Sequence, residues 1–131
     1  MLLTDGNGLP LTVDVGSARP HEATLIEPLI QKCPHRKRLK RLLYDRAADS
    51  RALRKRLARR RIDLICPDRS CNRTKRQDGR KLRRHRRRWR IERTISWLRS
   101  YRRLVTRYEQ QVQIFLGFVQ LACLMIVLRR F

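Results

Sequence analysis

The sequence predicts an α/β domain, with a mixed sheet and helices packed on it. Three observations lead there. Short apolar runs alternate with stretches of helical periodicity. Glycine and proline mark the joints between them. The 131 residues suffice for one domain of modest core. Strands separated by helices are the pattern of a sheet that must be covered on its faces.

The elements follow in order. Residues 2–4 and 9–15 flank Asp5-Gly6-Asn7-Gly8, a glycine-rich turn, so residues 1–15 predict a hairpin. Residues 16–20 form a loop. Ala23, Leu25, Ile26, Leu29 and Ile30 predict a short helix over 21–31, broken by Cys33-Pro34-His35. Leu42-Leu43-Tyr44 is a short strand ending at Asp45. Asp49-Ser50 is a cap for a helix to about residue 60, with Leu53 and Leu57 four apart. Residues 62–66 are another short strand, closed by Pro67. Residues 68–79 are polar and basic and read as a mobile loop. A long helix is expected over 81–104, with Trp89, Ile91, Ile95, Trp97, Leu98 and Tyr101 at its apolar positions. Trp89 and Trp97 are taken as core or hydrophobic flank. A final helix is expected over 109–128. Residues 114–128 are shorter than the ~20 apolar residues that span a bilayer, so this helix reads as a core helix buried nearly all round, and no membrane partner is expected.

Charge narrows the function. The chain carries 34 Lys+Arg against 11 Asp+Glu, a formal charge of +23. Self-repulsion on that scale opposes a compact state until a polyanion neutralises it, and phosphate contacts would supply most of the affinity for nucleic acid. No basic leader with an apolar core opens the chain, so a cytoplasmic setting is expected, nucleoid-associated when DNA is bound. Cys33, Cys66, Cys71 and Cys123 are then ordinary thiols. Cys66 and Cys71 are spaced too widely for the tighter zinc knuckles, and His85 lies well downstream.

Two carboxylates stand out. Glu92 sits within a dense arginine field, His85-Arg86-Arg87-Arg88-Trp89-Arg90-Ile91-Glu92-Arg93. Asp45 directly follows a short strand, where α/β sheets place functional side chains. Converging, they could hold two divalent metals about 4 Å apart that activate a hydroxyl and stabilise a leaving phosphodiester oxygen. The plainer alternatives are a turn-forming aspartate and a salt-bridged glutamate. Arg88, one turn before Glu92, lies on the same helix face. It reads either as an ion-pair partner or as a phosphate ligand, the geometry guanidinium suits.

With these residues in view, the chain resembles the C-terminal part of the catalytic domain of bacterial insertion-sequence transposases of the DDE type. Asp5-Gly6-Asn7-Gly8-Leu9-Pro10-Leu11 resembles the family's hairpin between its second and third strands. Ser17-Ala18-Arg19-Pro20-His21-Glu22 resembles the loop that follows, and 43–50 the strand and turn of the second catalytic aspartate. Gln77-Asp78-Gly79-Arg80 leads into the long helix. The family signature there is tyrosine, two residues, arginine, three residues, the catalytic glutamate, six residues and lysine. This chain has His85, Arg88, Glu92 and Arg99 at those spacings, so His85 replaces tyrosine and Arg99 replaces lysine. The turn Arg46-Ala47-Ala48 departs from the family's pattern.

The resemblance implies a ribonuclease-H-like mixed sheet with flanking helices. It implies Asp45 and Glu92 as catalytic metal ligands, and His85, Arg88, Arg99, Arg84 and Arg87 as DNA or phosphate contacts. It implies Mg²⁺ or Mn²⁺, as a two-metal site in the complete enzyme, and double-stranded DNA as partner. The first catalytic aspartate lies on a strand upstream of the hairpin in the family. That first strand is therefore expected to be missing from residues 1–131, and this chain alone is expected to be inactive and dependent on an upstream-encoded segment or an intact transposase. Leu43, Ile65 and the apolar face of 114–128 are then expected to lack part of their cover. Two alternatives stand beside this: a non-catalytic basic DNA-binding remnant or regulator of an intact transposase, and a basic RNA-binding protein of ribosomal type. Asp45 and Glu92 in the family's places argue against the last.

Overall fold

The computed structural model describes residues 1–17, 19–68 and 79–130. The predicted loop over 68–79 and Cys71 lie almost wholly outside them. The described chain is mixed α and β. Its strands form two separate pairs, where one mixed sheet was expected.

The first pair is the predicted hairpin, β1 (Leu2–Thr4) antiparallel to β2 (Pro10–Val13), with an irregular register between Leu3 and Thr4. Its turn is built from within: Asp5 Oδ1 accepts from the backbone of both Asn7 and Leu9, each at 2.8 Å. Gly8 adopts φ of +90°, open to glycine and strained for other residues. α1 (Glu22–Lys32) follows, one residue from the predicted start, with the His21 ring capping the amide of Ala23. Its apolar spacing buries Ile26, Leu29 and Ile30 on one face.

The second pair is a strand–helix–strand unit. β3 (Arg41–Leu43) and β4 (Asp63–Ile65) run parallel, Leu42 opposite Leu64. Between them lies α2 (Arg51–Arg59), capped by Ser50 as the sequence predicts, burying Leu53 and Leu57. These side chains, with Leu3, Cys33, Ala48 and Cys66, form the core. Arg54 ties α2 to β4, donating to the carbonyls of Leu64 at 2.9 Å and Cys66 at 3.2 Å while pairing with buried Asp49. Ile65 is fully buried, against the expectation that it lacks cover, and Leu43 is half-buried.

The single long helix does not form. α3 (Gly79–Leu82) passes into a 3₁₀ segment, Arg83–Arg88, then α4 (Trp89–Arg99), then α5 (Arg102–Val105). Helices in proteins are held chiefly by packing of an apolar face, and no apolar side chain stands between Leu82 and Trp89 to supply one. At the other break, the Ser100 hydroxyl donates to the carbonyl of Trp97 at 2.6 Å. Trp89 is 51% exposed, a flank and not a core residue, while Trp97 is half-buried.

α6 (Val112–Leu128) begins three residues later than predicted, and its burial differs. Val119, Ala122, Cys123 and Ile126 are buried, whereas Ile114, Leu121, Leu124 and Leu128 are exposed. The helix packs on β2, α4 and α5. These cover a single face, so burial all round is not achieved. Among the described residues no helix is long and apolar enough to cross a membrane.

Candidate functional site

Asp45 lies two residues beyond β3 and opens a 3₁₀ turn, Arg46–Ala48. Its Oδ1 accepts from the amide of Ala47 at 2.9 Å, which leaves Oδ2 directed away from the turn. The aspartate is thus the turn former the sequence allowed, and it also meets the glutamate helix. Arg88 Nη1 stands 3.7 Å from Asp45 Oδ2, and Arg88 Nη2 stands 3.1 Å from Glu92 Oε1. One guanidinium therefore joins the two carboxylates. The Glu92 contact is the predicted i, i+4 pair. The Asp45 contact is electrostatic, beyond hydrogen-bond length. All three side chains are substantially exposed, so these pairs add little to stability.

Beside them is a cleft of about 290 Å³ between β1, α1, β3 and the basic helix. Its floor is apolar, including Ile26, Leu29 and Leu42, and its rim carries Arg84, Arg87, Arg88 and Arg90. Arg84 and Arg87 come to one side because a 3₁₀ segment of three residues per turn eclipses positions three apart. Tyr44 also lines the cleft and donates to Glu22 Oε2 at 3.4 Å. Burial, then the carboxylates of Glu22 and Asp45, push its phenol well above the usual range, so it stays protonated. His85 and Arg99 do not line the cleft. His85 is half-buried with its Nε2 making no hydrogen bond, and Arg99 is exposed at the far end of α4.

The sequence reading missed what fixes the glutamate helix. Three side chains of α4 grip three successive carbonyls of the hairpin turn. Arg90 donates to Gly6, Arg93 to Asn7 at 2.8 Å, and Thr94 to Gly8 at 2.5 Å. Thr94 is fully buried there. Arg93 also lies between the rings of Trp89 and Trp97, at 4.8 and 4.7 Å. The one sequence signal for this contact was a polar threonine among apolar helix positions.

As a metal site the described residues are incomplete. No group of three His, Cys, Asp or Glu is placed to hold an ion among them, and the two carboxylates that meet are joined by a cation. A divalent ion does not fit this donor set alone.

Comparison with known proteins gives two findings. The family model described as the transposase DDE domain matches residues 1–128. A protein of Burkholderia cepacia, named "Putative transposase for insertion sequence element IS402", is 34% identical over 133 aligned residues, covering 95% of this chain. The chain spans 60% of that relative's length. No solved structure matches the chain.

Proposed function

The chain belongs to the transposase DDE-domain family, and on that premise we propose that it forms part of the catalytic domain of an insertion-sequence transposase. Such an enzyme cleaves element ends and transfers DNA strands by metal-dependent phosphodiester chemistry. The observation that carries this reading is the Arg88 bridge, which joins Asp45 and Glu92 beside an arginine-rimmed cleft that Arg88 lines and the two carboxylates do not. In the family's pattern these two carboxylates are the second and third acidic ligands. Arg84, Arg87 and Arg88 are then the phosphate contacts of the site, with His85 and Arg99 assigned by motif spacing. Arg88 is poised to exchange its carboxylates for a phosphate, a strong bidentate partner for guanidinium.

The family generally uses divalent metal ions, and Mg²⁺ or Mn²⁺ is the cofactor of this reading. The remaining carboxylate must come from outside the described residues. The fold supports a place for it. β1 and β3 each pair on one side only among the described residues, and both line the cleft. A further strand between them would join the two pairs into one ribonuclease-H-like mixed sheet. It would come from an upstream-encoded segment or an intact transposase. A second reading, a non-catalytic DNA-binding regulator, draws on the incomplete ligand set.

The deciding assay is metal-dependent nicking of DNA carrying matching element ends. Residues 1–131 alone are expected to bind duplex DNA with little sequence preference and not to nick it. Binding should weaken steeply with salt, about −0.9 in the log–log slope for each neutralised phosphate. Adding a segment that supplies the strand and its aspartate should give nicking that Glu92→Gln or Asp45→Asn abolishes. Nicking that survives both substitutions would sink the assignment. Strong binding without nicking, even with the segment supplied, would favour the regulator.

A further inference from the structure

The far ends of α4 and α6 enclose a second cavity, of about 280 Å³. Trp97, Ser100 and Tyr101 line it from the α4 end, and Ile126, Arg129 and Arg130 from the α6 end. It is separate from the cleft beside Asp45 and Glu92. Trp97 stands five positions beyond Glu92, about 140° around the helix at 3.6 residues per turn. Two guanidiniums flank the Trp97 ring, Arg93 at 4.7 Å and Arg130 at 4.8 Å. Arg93 is anchored on the Asn7 carbonyl, so it holds the ring in place. Arg130 is exposed beyond the end of α6 and is free to swing. The hydroxyl of Tyr101 is buried and makes no hydrogen bond, an uncommon state for a polar group.

We infer that this cavity takes one unpaired nucleotide of a DNA strand, its base on Trp97 and its phosphate on Arg129 or Arg130. The lining selects that ligand. It brings together two guanidiniums, an indole and a phenol, with no carboxylate. A simple anion would use the arginines and gain nothing from the indole. An apolar ligand would leave the arginines idle. A nucleotide uses both, because bases stack on aromatic rings and on guanidinium planes alike. Arg130 then moves off Trp97 to admit the base and closes over its second face. In a duplex each base face is covered by its neighbours, so only an unpaired base offers one. The volume lies at the lower end for small-ligand sites, enough for one nucleotide. The unpartnered Tyr101 hydroxyl supplies a donor for an acceptor on the base or sugar. Stacking of this kind is tolerant of sequence. The inference needs nucleic-acid binding but neither Asp45 nor Glu92, so its failure would leave the metal-site reading untouched.

Fluorescence titration of the whole chain, freed of nucleic acid, with two single strands of equal length tests this. One is oligothymidylate and the other is the same strand with abasic residues. Their charge is equal, so the difference reads the bases alone. Oligothymidylate should bind about tenfold tighter, within the range for one aromatic stack, and should quench Trp97 in the Trp89→Phe chain. Trp97→Leu should bring the two strands to equal affinity. Trp97 also packs α4, so Arg130→Gln is the second variant. Its side chain lies in solvent, so helical circular dichroism should be unchanged, while the preference falls about threefold with the lost guanidinium–ring contact. Arg59→Gln, an exposed charge on α2 away from the cavity, should leave the preference as it is. Equal binding of the two strands by the parent chain, or a preference that survives either cavity substitution, overturns the inference. So does a preference lost in Trp89→Phe, which would put the stack on the exposed Trp89 ring. So does quenching of Trp97 by vesicles of equimolar phosphatidylcholine and phosphatidylglycerol with no preference between the strands, which would make the cavity a headgroup site.

Discussion

α4 and α6 are held in opposite ways. α4 carries Arg90, Glu92, Arg93 and Arg99, yet it is locked to the hairpin turn by three side-chain donors and buries Thr94 completely. α6 has no charged residue, yet it leaves Ile114, Leu121, Leu124 and Leu128 in solvent. Hydropathy alone would have ranked them the other way. A tight turn presents backbone carbonyls that need donors, and α4 has donors at the right spacing. An apolar helix is buried only as far as its neighbours reach, and a two-stranded hairpin reaches across a single face.

The largest effect expected from breaking this contrast lies on the buried side of α6. Ile126 is 5% exposed. Ile126→Ala should cost about 2–4 kcal/mol through lost burial and a residual cavity, read as a fall in denaturant midpoint at unchanged slope. A cost below about 0.5 kcal/mol, the range of surface changes, would mean that α6 is not seated on β2 and α4.

The next effect tests the α4 clasp. A Cβ at Gly8 would stand 3.0 Å from the Arg90 carbonyl oxygen and 3.1 Å from Thr94 Oγ1, on a backbone with φ of +90°. The first neighbour is backbone and cannot swing aside. Gly8→Ala should therefore cost about 1–3 kcal/mol, the range for a strained backbone position. It should also shift α4 and with it Glu92. Gly6→Ala is the control, since its Cβ would meet nothing within 4 Å. Equal melting temperatures for the two variants would remove the clasp as the anchor of the glutamate helix.

Much of this was legible in the chain. Asp5 and the glycines of the first turn specify the hairpin locally, and Ser50 with Leu53 and Leu57 specifies α2, because caps and spacings act within a few residues. The pairing of Arg88 with Glu92 was legible in its one-turn offset, whereas the reach of Asp45 to the same guanidinium was not given by spacing. What could not be read depended on partners distant in sequence. Nothing in residues 90–94 says that three carbonyls of residues 6–8 lie opposite. The break at Arg83–Arg88 follows from absent apolar contacts, whereas helical periodicity merely continues through it. The exposure of half of α6 depends on how narrow its neighbours are, which no property of residues 112–128 encodes.

The smallest effect is the sharpest test of the contrast, because it uses the same helix and the same kind of deletion. Leu124 lies two residues before Ile126 but is 52% exposed. Leu124→Ala removes the same three carbons as Ile126→Ala, yet it opens no cavity and costs little burial within one chain. Alanine also has the higher helix propensity, which offsets part of what is lost. In dilute protein the unfolding free energy should move by no more than about 0.5 kcal/mol. A large loss in dilute protein would mean that Leu124 is covered within the chain and that the two faces of α6 do not differ.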